Sequence, residues 1–250
     1  MIEIKNISKT FGDRVVISDV SYQFEKGKTN LIIGESGSGK TTILKMMVGL
    51  LMPDVGNIIY DGRVFLELDE KQKQEVRKDI GMLFQGGALF DSMTVEENVA
   101  FPLKMFTEFS EKEITERVNF CLSKVRLENR NALYPAELSG GMKKRAALAR
   151  AIAGNPKYLF CDEPNSGLDP KTSLVIDDLI LELTTDFNIT TVVITHDMNS
   201  VMQIGQNIIF LHSGKKWWEG NHKQILTTTN KELLDFVYAS EFLKQLKPKN

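Results

Sequence analysis

The chain has 250 residues, 42% of them apolar, with 18 Gly and 7 Pro, ordinary usage for a globular protein able to bury a substantial core. Lys and Arg number 31 against 33 Asp and Glu, and a formal charge of -2 argues against binding nucleic acid through bulk charge. Two cysteines, Cys121 and Cys161, are too few for a disulfide framework and fit a reducing compartment, and neither a secretory leader nor an apolar run near the ~18 residues of a membrane span is visible.

In chain order, Ile2, Ile4 and Ile7 open a strand-like run. Val15 to Phe24 follows, with Val16, Tyr22 and Phe24 on one parity, and ends at the turn Lys26-Gly27-Lys28. Leu31-Ile32-Ile33 is a short apolar strand running into a glycine-rich loop, and Asn57 to Tyr60 ends at the hairpin-type turn Asp61-Gly62. Thr94 with Glu97 and Ser110 with Glu113 are capping-box pairs, each opening a helical pattern. Met142 to Ala153, rich in Ala and Arg, is a third helix. Strand and helix then alternate: strand over Lys157 to Cys161, helix over Thr172 to Thr185, strand over Thr190 to Thr195. Such alternation predicts an α/β fold with a parallel sheet packed by helices, an antiparallel β part early and a helical insertion in the middle.

Gly34-Glu35-Ser36-Gly37-Ser38-Gly39-Lys40-Thr41 fits the phosphate-loop pattern G-x-x-x-x-G-K-[ST] between a predicted strand and a predicted helix. Its glycines let the backbone curl so that successive N–H groups face phosphate oxygens. The helix dipole and the Lys40 ammonium add positive charge, and Thr41 offers a hydroxyl to Mg²⁺. Further on, Tyr158-Leu159-Phe160-Cys161 delivers Asp162 and Glu163 to the C-terminal end of a strand, where ligands bind in open parallel sheets. Alternation along a strand would point the two carboxylates to opposite sides, with Asp162 serving the Mg²⁺ shell and Glu163 orienting and deprotonating a water.

Leu138-Ser139-Gly140-Gly141-Met142, whose Ser139 lies 23 residues before Asp162, joins these motifs in an order that resembles the ATPase subunit of ABC transporters. Gln85, Ser166-Gly167-Leu168-Asp169 and His196 after Val192-Val193-Ile194-Thr195 match in the same order, and the resemblance covers residues 1 to about 225. It implies a P-loop ABC ATPase fold: a RecA-like parallel-sheet core, an antiparallel β subdomain and a helical subdomain at about 88–153, within a nucleotide-binding domain of 1–228 followed by a helical extension of 229–250. It also implies ATP as substrate and Mg²⁺ as cofactor. ATP is held by Gly34, Glu35, Ser36, Gly37, Ser38, Gly39, Lys40, Thr41 and Thr42, with Phe11 stacked on adenine. Thr41, Gln85 and Asp162 serve the metal, Glu163 polarises water and His196 senses the γ-phosphate. Leu138, Ser139, Gly140, Gly141 and Met142 act in trans on the ATP of a second copy, and Asp169 links the two sites of that head-to-tail dimer.

Many relatives carry Gln where this chain has Met142. Leu-Ser-Gly-Gly-Met, the following Lys143-Lys144-Arg145, and the stretch from Gln85 through Leu89, Phe90 and Met93 to Val99 are most similar to the Mla/Mce-type phospholipid-trafficking ATPases. That likeness implies an ATPase held peripherally on the cytoplasmic face of the inner membrane. Integral permease subunits would dock near Gln85–Val99, with a lipid-binding MCE-type protein and a small regulatory protein as further partners and no nucleic acid. An ABC ATPase of a protein scaffold, such as iron–sulfur cluster assembly, shares every nucleotide motif and differs only in its partner, as does an ABC ATPase for a non-lipid cargo. No long coiled coil or Cys-rich insertion separates Gly34 from Ser139, which disfavours a DNA-repair ABC protein. Lys143-Lys144-Arg145 reads as a solvated face, and Trp217-Trp218 as packing at a late hairpin after Ser213-Gly214. The tail from Lys231 to Lys247 is amphipathic at helical spacing, suited either to its own domain or to a partner subunit.

Overall fold

The computed structural model describes residues 1–239. β1 (Ile2–Phe11) and β2 (Arg14–Phe24) form a hairpin, and β3 (Thr29–Ile33) leads through the glycine-rich loop into α1 (Lys40–Met47). β4 (Val55–Tyr60) turns back into the short β5 (Arg63–Val64) through Asp61 (φ 47°) and Gly62 (φ 83°), the paired positive φ of a type I′ hairpin. Next come α2 (Glu70–Lys78) and β6 (Ile80–Leu83), then the helices α3 (Val95–Phe106), α4 (Glu111–Lys124) and α5 (Gly140–Ala153). The last third alternates β7 (Tyr158–Asp162), α6 (Pro170–Asp186), β8 (Thr190–Thr195) and α7 (Met198–Ile204). It closes with β9 (Asn207–His212), β10 (Lys215–Gly220), α8 (His222–Ile225) and α9 (Lys231–Val237).

The strands make two sheets: a four-stranded antiparallel one, ordered β2-β1-β4-β5, and a six-stranded one, ordered β10-β9-β3-β8-β7-β6 and parallel except at β10. The inner strands of the larger sheet are buried on both faces, so they appear in sequence as continuous apolar runs. Their side chains still alternate. Leu31, Ile33, Leu159, Cys161 and Val193 enter a core shared with α3 to α7, whereas Ile32, Phe160, Val192 and Ile194 enter a second core with the antiparallel sheet and α1. This α/β arrangement brings the C-terminal ends of β3, β7 and β8 to one edge of the molecule.

Local rules set several boundaries. Both expected capping boxes close: Thr94 N donates to Glu97 Oε2 at 2.7 Å, and Ser110 N to Glu113 Oε2 at 2.8 Å. α5 begins two residues before the expected Met142, because Ser139 caps it. In β2 the single-parity expectation fails: Ile17, Val20 and Phe24 are the buried residues, while Val16 and Tyr22 are half-buried. Register shifts between β1 and β2 move the inward face, with Asn6 (φ 50°) and Asp19 (φ 52°) both left-handed and joined by an Asn6 Nδ2 to Asp19 Oδ1 hydrogen bond of 2.8 Å. α9 packs on its own chain through buried Leu233 and Val237, and the Phe236 ring lies 5.4 Å from that of Phe210. The rest of the amphipathic tail, Phe242 included, lies outside the described residues. Among the described residues, no helix is long and apolar enough to cross a membrane.

Candidate active site

The loop after β3 is shaped by glycine. Gly34 (φ 151°), Gly37 (φ 80°) and Gly39 (φ 104°) all adopt conformations that side chains resist. A Cβ at Gly34 would also press into the Leu211 carbonyl, and one at Gly39 into the Ile17 side chain. Gly39 is the N-cap of α1 and supplies no side-chain cap, which leaves the first-turn amides to other acceptors. Lys40 folds back into the loop, its Nζ donating to the carbonyls of Gly34 (2.8 Å) and Glu35 (2.9 Å). Burial lowers its pKa, while Glu163 and Asp162 act in the opposite direction. Behind the loop, the buried Ser38 hydroxyl has no hydrogen-bond partner among the described residues.

The two carboxylates come from the end of β7. Asp162 pairs in register with Ile194 of β8, and Glu163 N donates to the Ile194 carbonyl at 2.9 Å. Glu163 does not face the opposite side, as strand alternation predicted. Its φ of 46° breaks the extended conformation and turns its side chain toward the cavity that Asp162 lines. Burial, and then the adjacent Glu163, raise the Asp162 pKa. His196 directly follows β8 and places Nδ1 2.9 Å from Glu163 Oε1; its side chain is 67% exposed, that of Glu163 only 15%. Gln85, just past β6, donates through Nε2 to Ser166 Oγ at 3.2 Å.

These groups line one open cavity of about 1340 Å³, which contains Glu35, Ser36, Gly37, Gly39, Lys40, Thr41, Thr42, Gln85, Asp162, Glu163 and His196. Phe11 lies outside that lining, half-exposed, with Lys9 Nζ 5.6 Å from its ring centre. Leu138 to Met142 and Asp169 lie outside it too. Ser139 is exposed and caps α5, accepting from Met142 N at 3.3 Å, while Met142 packs half-buried on the helical core. Asp169 caps α6, accepting from Thr172 N (3.0 Å) and Thr172 Oγ1 (2.5 Å), bonds that lower its pKa. Gly141 lies so close to the Thr172 side chain that a Cβ there would collide, so the two helix starts abut.

Lys144 departs from its expected place on a solvated face. It is 6% exposed, and its ammonium donates to the Gln85 main-chain carbonyl; burial lowers its pKa, whereas Cys161, Asp162 and Glu163 raise it. From the same helix, Arg150 donates to the carbonyls of Gly87 (2.8 Å) and Ala88 (2.7 Å). The basic run conceals this role because Lys143 and Lys144 look alike in sequence, and only the angular position on α5 separates them. Arg14 and Val16 at the β1–β2 hairpin, Met198 on α7, and Phe236 and Val237 on α9 also line the cavity. The hairpin pair carried a signal, since the strand run begins beside them; the α9 pair did not.

Residues 17–166 match the family described as ABC transporter. The chain belongs to the ABC transporter ATP-binding family. Curated relatives include the intermembrane phospholipid transport system ATP-binding protein MlaF of Haemophilus influenzae, 42% identical over 95% of this chain and 90% of that protein. The methionine import ATP-binding protein MetN of Campylobacter jejuni is 40% identical over 98% of this chain and 78% of that protein. Among solved structures, the dimeric ABC transporter cassette MJ0796 matches with a TM-score of 0.80 and 34% identity, over 89% of this chain and 99% of that one. The same cassette is known in a post-hydrolysis dimer bound to ADP and phosphate. This ABC chain is accordingly an ATP hydrolase, built as a nucleotide-binding cassette of a kind that forms dimers.

Proposed function

We propose that this ABC ATPase is the motor of a membrane transporter that moves phospholipid between bacterial membranes. It would work as a head-to-tail dimer with ATP at the interface. One observation carries the dimer reading: Lys40, Asp162, Glu163, Gln85 and His196 share one cavity, while the capped helix start at Ser139 is exposed elsewhere. A second copy would bring its Ser139, Gly140 and Gly141 to the phosphates held by this chain's loop, with Asp169 at the junction between sites. Loop amides and Lys40 hold the phosphates. Glu163 takes a proton from the attacking water as the oxygen joins the γ-phosphorus, and the bond to ADP breaks. His196, hydrogen-bonded to Glu163, keeps that carboxylate aligned. Phe11, exposed on the β1–β2 hairpin, is free to meet the adenine from outside the cavity lining.

The oxygen donors of Thr41, Gln85 and Asp162 suit Mg²⁺, and Asp162, disfavoured as an anion by burial and by Glu163, is the carboxylate that a dication would relieve. When bound, the ion neutralises charge on the transferring phosphoryl group. Domain limits follow the same reading: a cassette of 1–228 with a helical subdomain at about 88–153, then the extension from residue 229.

The likeness to MlaF over nearly the whole chain supports phospholipid as cargo. Phe84 and Phe90 are exposed at 40% and 41%, Phe90 resting on Phe101 with ring centres 4.9 Å apart, and so offer an apolar floor for permease subunits near Gln85–Val99. A lipid-binding MCE-type protein and a small regulatory protein complete the expected assembly, on the cytoplasmic face of the inner membrane. The near-equal likeness to MetN favours a second reading, in which the cargo is a small polar nutrient.

Two measurements test this function. Glu163→Gln should lower phosphate release by about 10²–10⁴-fold while ATP still binds, and normal turnover in that variant would sink the hydrolytic scheme. Affinity purification of the intact chain from membranes should recover an integral membrane protein together with an MCE-type protein; a nutrient permease in their place would select the second reading, and a soluble complex the scaffold reading.

A further inference from the structure

A buried polar cluster, made of one residue from each of three segments, lies at the wall of the cavity, which its Asn165 lines. Asn165 follows Glu163 and Pro164 in the loop that leads to Asp169, Asp177 lies on α6, and Ser200 lies on α7, the helix just after His196. They are 8%, 1% and 0% exposed. The Asn165 amide nitrogen bridges the other two, donating to Asp177 Oδ1 at 2.9 Å and to Ser200 Oγ at 2.8 Å.

Asp177 is an expensive residue to keep there. Its neighbouring charges, Asp197 and Asp178, are both acidic, and the Cys161 thiol of β7 also lies within its field. Burial pushes its carboxyl up to about 6, although hydrogen bonds from Ser200 and Asn165 pull it down. Asp177 Oδ2 and Asn165 Oδ1 have no partner among the described residues. A buried carboxyl without a cation is poor for stability, and an apolar side chain of similar volume would commonly serve as well or better. The cluster therefore has little rationale as a structural brace.

Its placement supplies one. The loop from Glu163 to Asp169 carries the water-polarising carboxylate, and the turn before α7 carries His196, which bonds that carboxylate. We propose that Asp177 is a positioning residue that anchors the Asn165 amide where it meets Ser200, so that the Glu163 loop and the His196 turn hold one shared geometry. This inference rests on the roles given above to Glu163 and His196. Asp177 touches no reacting atom; it acts through Asn165.

The test uses the full chain and compares Asp177→Leu, which keeps the branched shape but removes the acceptor, with Asp177→Asn, which keeps an oxygen for the Asn165 amide. Asp177→Leu should lower kcat about tenfold or more with ATP affinity changed less than about twofold, and Asp177→Asn should recover kcat to within about threefold of the parent. Backbone hydrogen exchange should rise together in 165–169 and 197–201 for Asp177→Leu and stay near the parent for Asp177→Asn. Ser200→Ala, measured alongside, should raise exchange in both segments and lower kcat, and it carries the test if Asp177→Leu does not fold. Parent-like kcat in a folded Asp177→Leu protein would overturn the proposal, as would exchange rising in one segment alone or an Asp177→Asn protein as slow as Asp177→Leu. Glu163→Gln runs beside them: normal turnover there removes the hydrolytic roles themselves, whereas a dead Glu163→Gln with a full-rate Asp177→Leu removes only Asp177.

Discussion

The chain contains two glycine-bordered helix starts that look alike in sequence and differ sharply in setting. At α1, Gly39 is buried, uncapped and left-handed, and the next residue, Lys40, reaches back to loop carbonyls within range of Asp162 and Glu163. At α5, Ser139 caps the helix with its own side chain, Gly140 is exposed, and the neighbours are another helix start and apolar side chains. The first, the phosphate site of the proposed function, is furnished with charge and confined geometry. The second offers amides and little else, so it is suited to completing a site whose charges belong to another copy.

The largest expected effect separates the two in binding. Lys40→Ala removes charge-assisted hydrogen bonds and should weaken ATP binding by the isolated chain about 100-fold in a fluorescent-nucleotide titration. Ser139→Arg should leave that affinity within about threefold and abolish the ATP-dependent dimer seen by light scattering. Equal losses of affinity in the two variants would erase the distinction.

Next comes pH. The Asp177 carboxyl is raised in the folded chain from 3.8 to about 6, so folding takes up a proton. Its contribution is fully present below about pH 4 and is lost as pH rises through about 6, a change on the order of 3 kcal/mol. Asp177→Asn should flatten the denaturant midpoint across that window relative to the parent, and parallel curves would refute the assignment. A smaller contrast is steric. Gly39→Ala meets both a positive φ and the Ile17 side chain and should cost about 1–3 kcal/mol in chemical unfolding, whereas Gly140→Ala, 3.5 Å from Leu168, should cost under about 1 kcal/mol. Smallest is the cap: Ser139→Ala should lower stability by about 1 kcal/mol, and a larger loss would mean that the α5 start is braced by more than its cap.

Much of the fold was legible because it rests on local rules. The capping pairs at Thr94 and Ser110, the Asp61-Gly62 turn and the alternation after Lys157 are set within a few residues and survive in the structure. The glycine-rich loop and the Asp162-Glu163 pair could be picked out for the same reason, as contiguous segments, and the fold brings them to one cavity. What escaped depends on distant partners. Lys144 is buried because the loop after β6 passes over one side of α5, and Asp177 because α7 covers α6; nothing beside either residue in sequence announces it. The parity of β2 failed through two left-handed residues that no apolar pattern encodes, and the left-handed Glu163 sits where a simple strand was assumed.

Lys144 and Arg150 grip the segment after β6 by its main-chain oxygens at Gln85, Gly87 and Ala88. A main-chain oxygen is present whatever residue occupies the position, so the fastening is blind to side-chain identity. Gly86 lies between the fastened points with open space around its Cα. New side chains can therefore be tried there against a changing neighbour while the bolts to α5 stay tight. If permease subunits dock at this segment as proposed, such a mount would let the contact surface change without rebuilding the ATPase behind it.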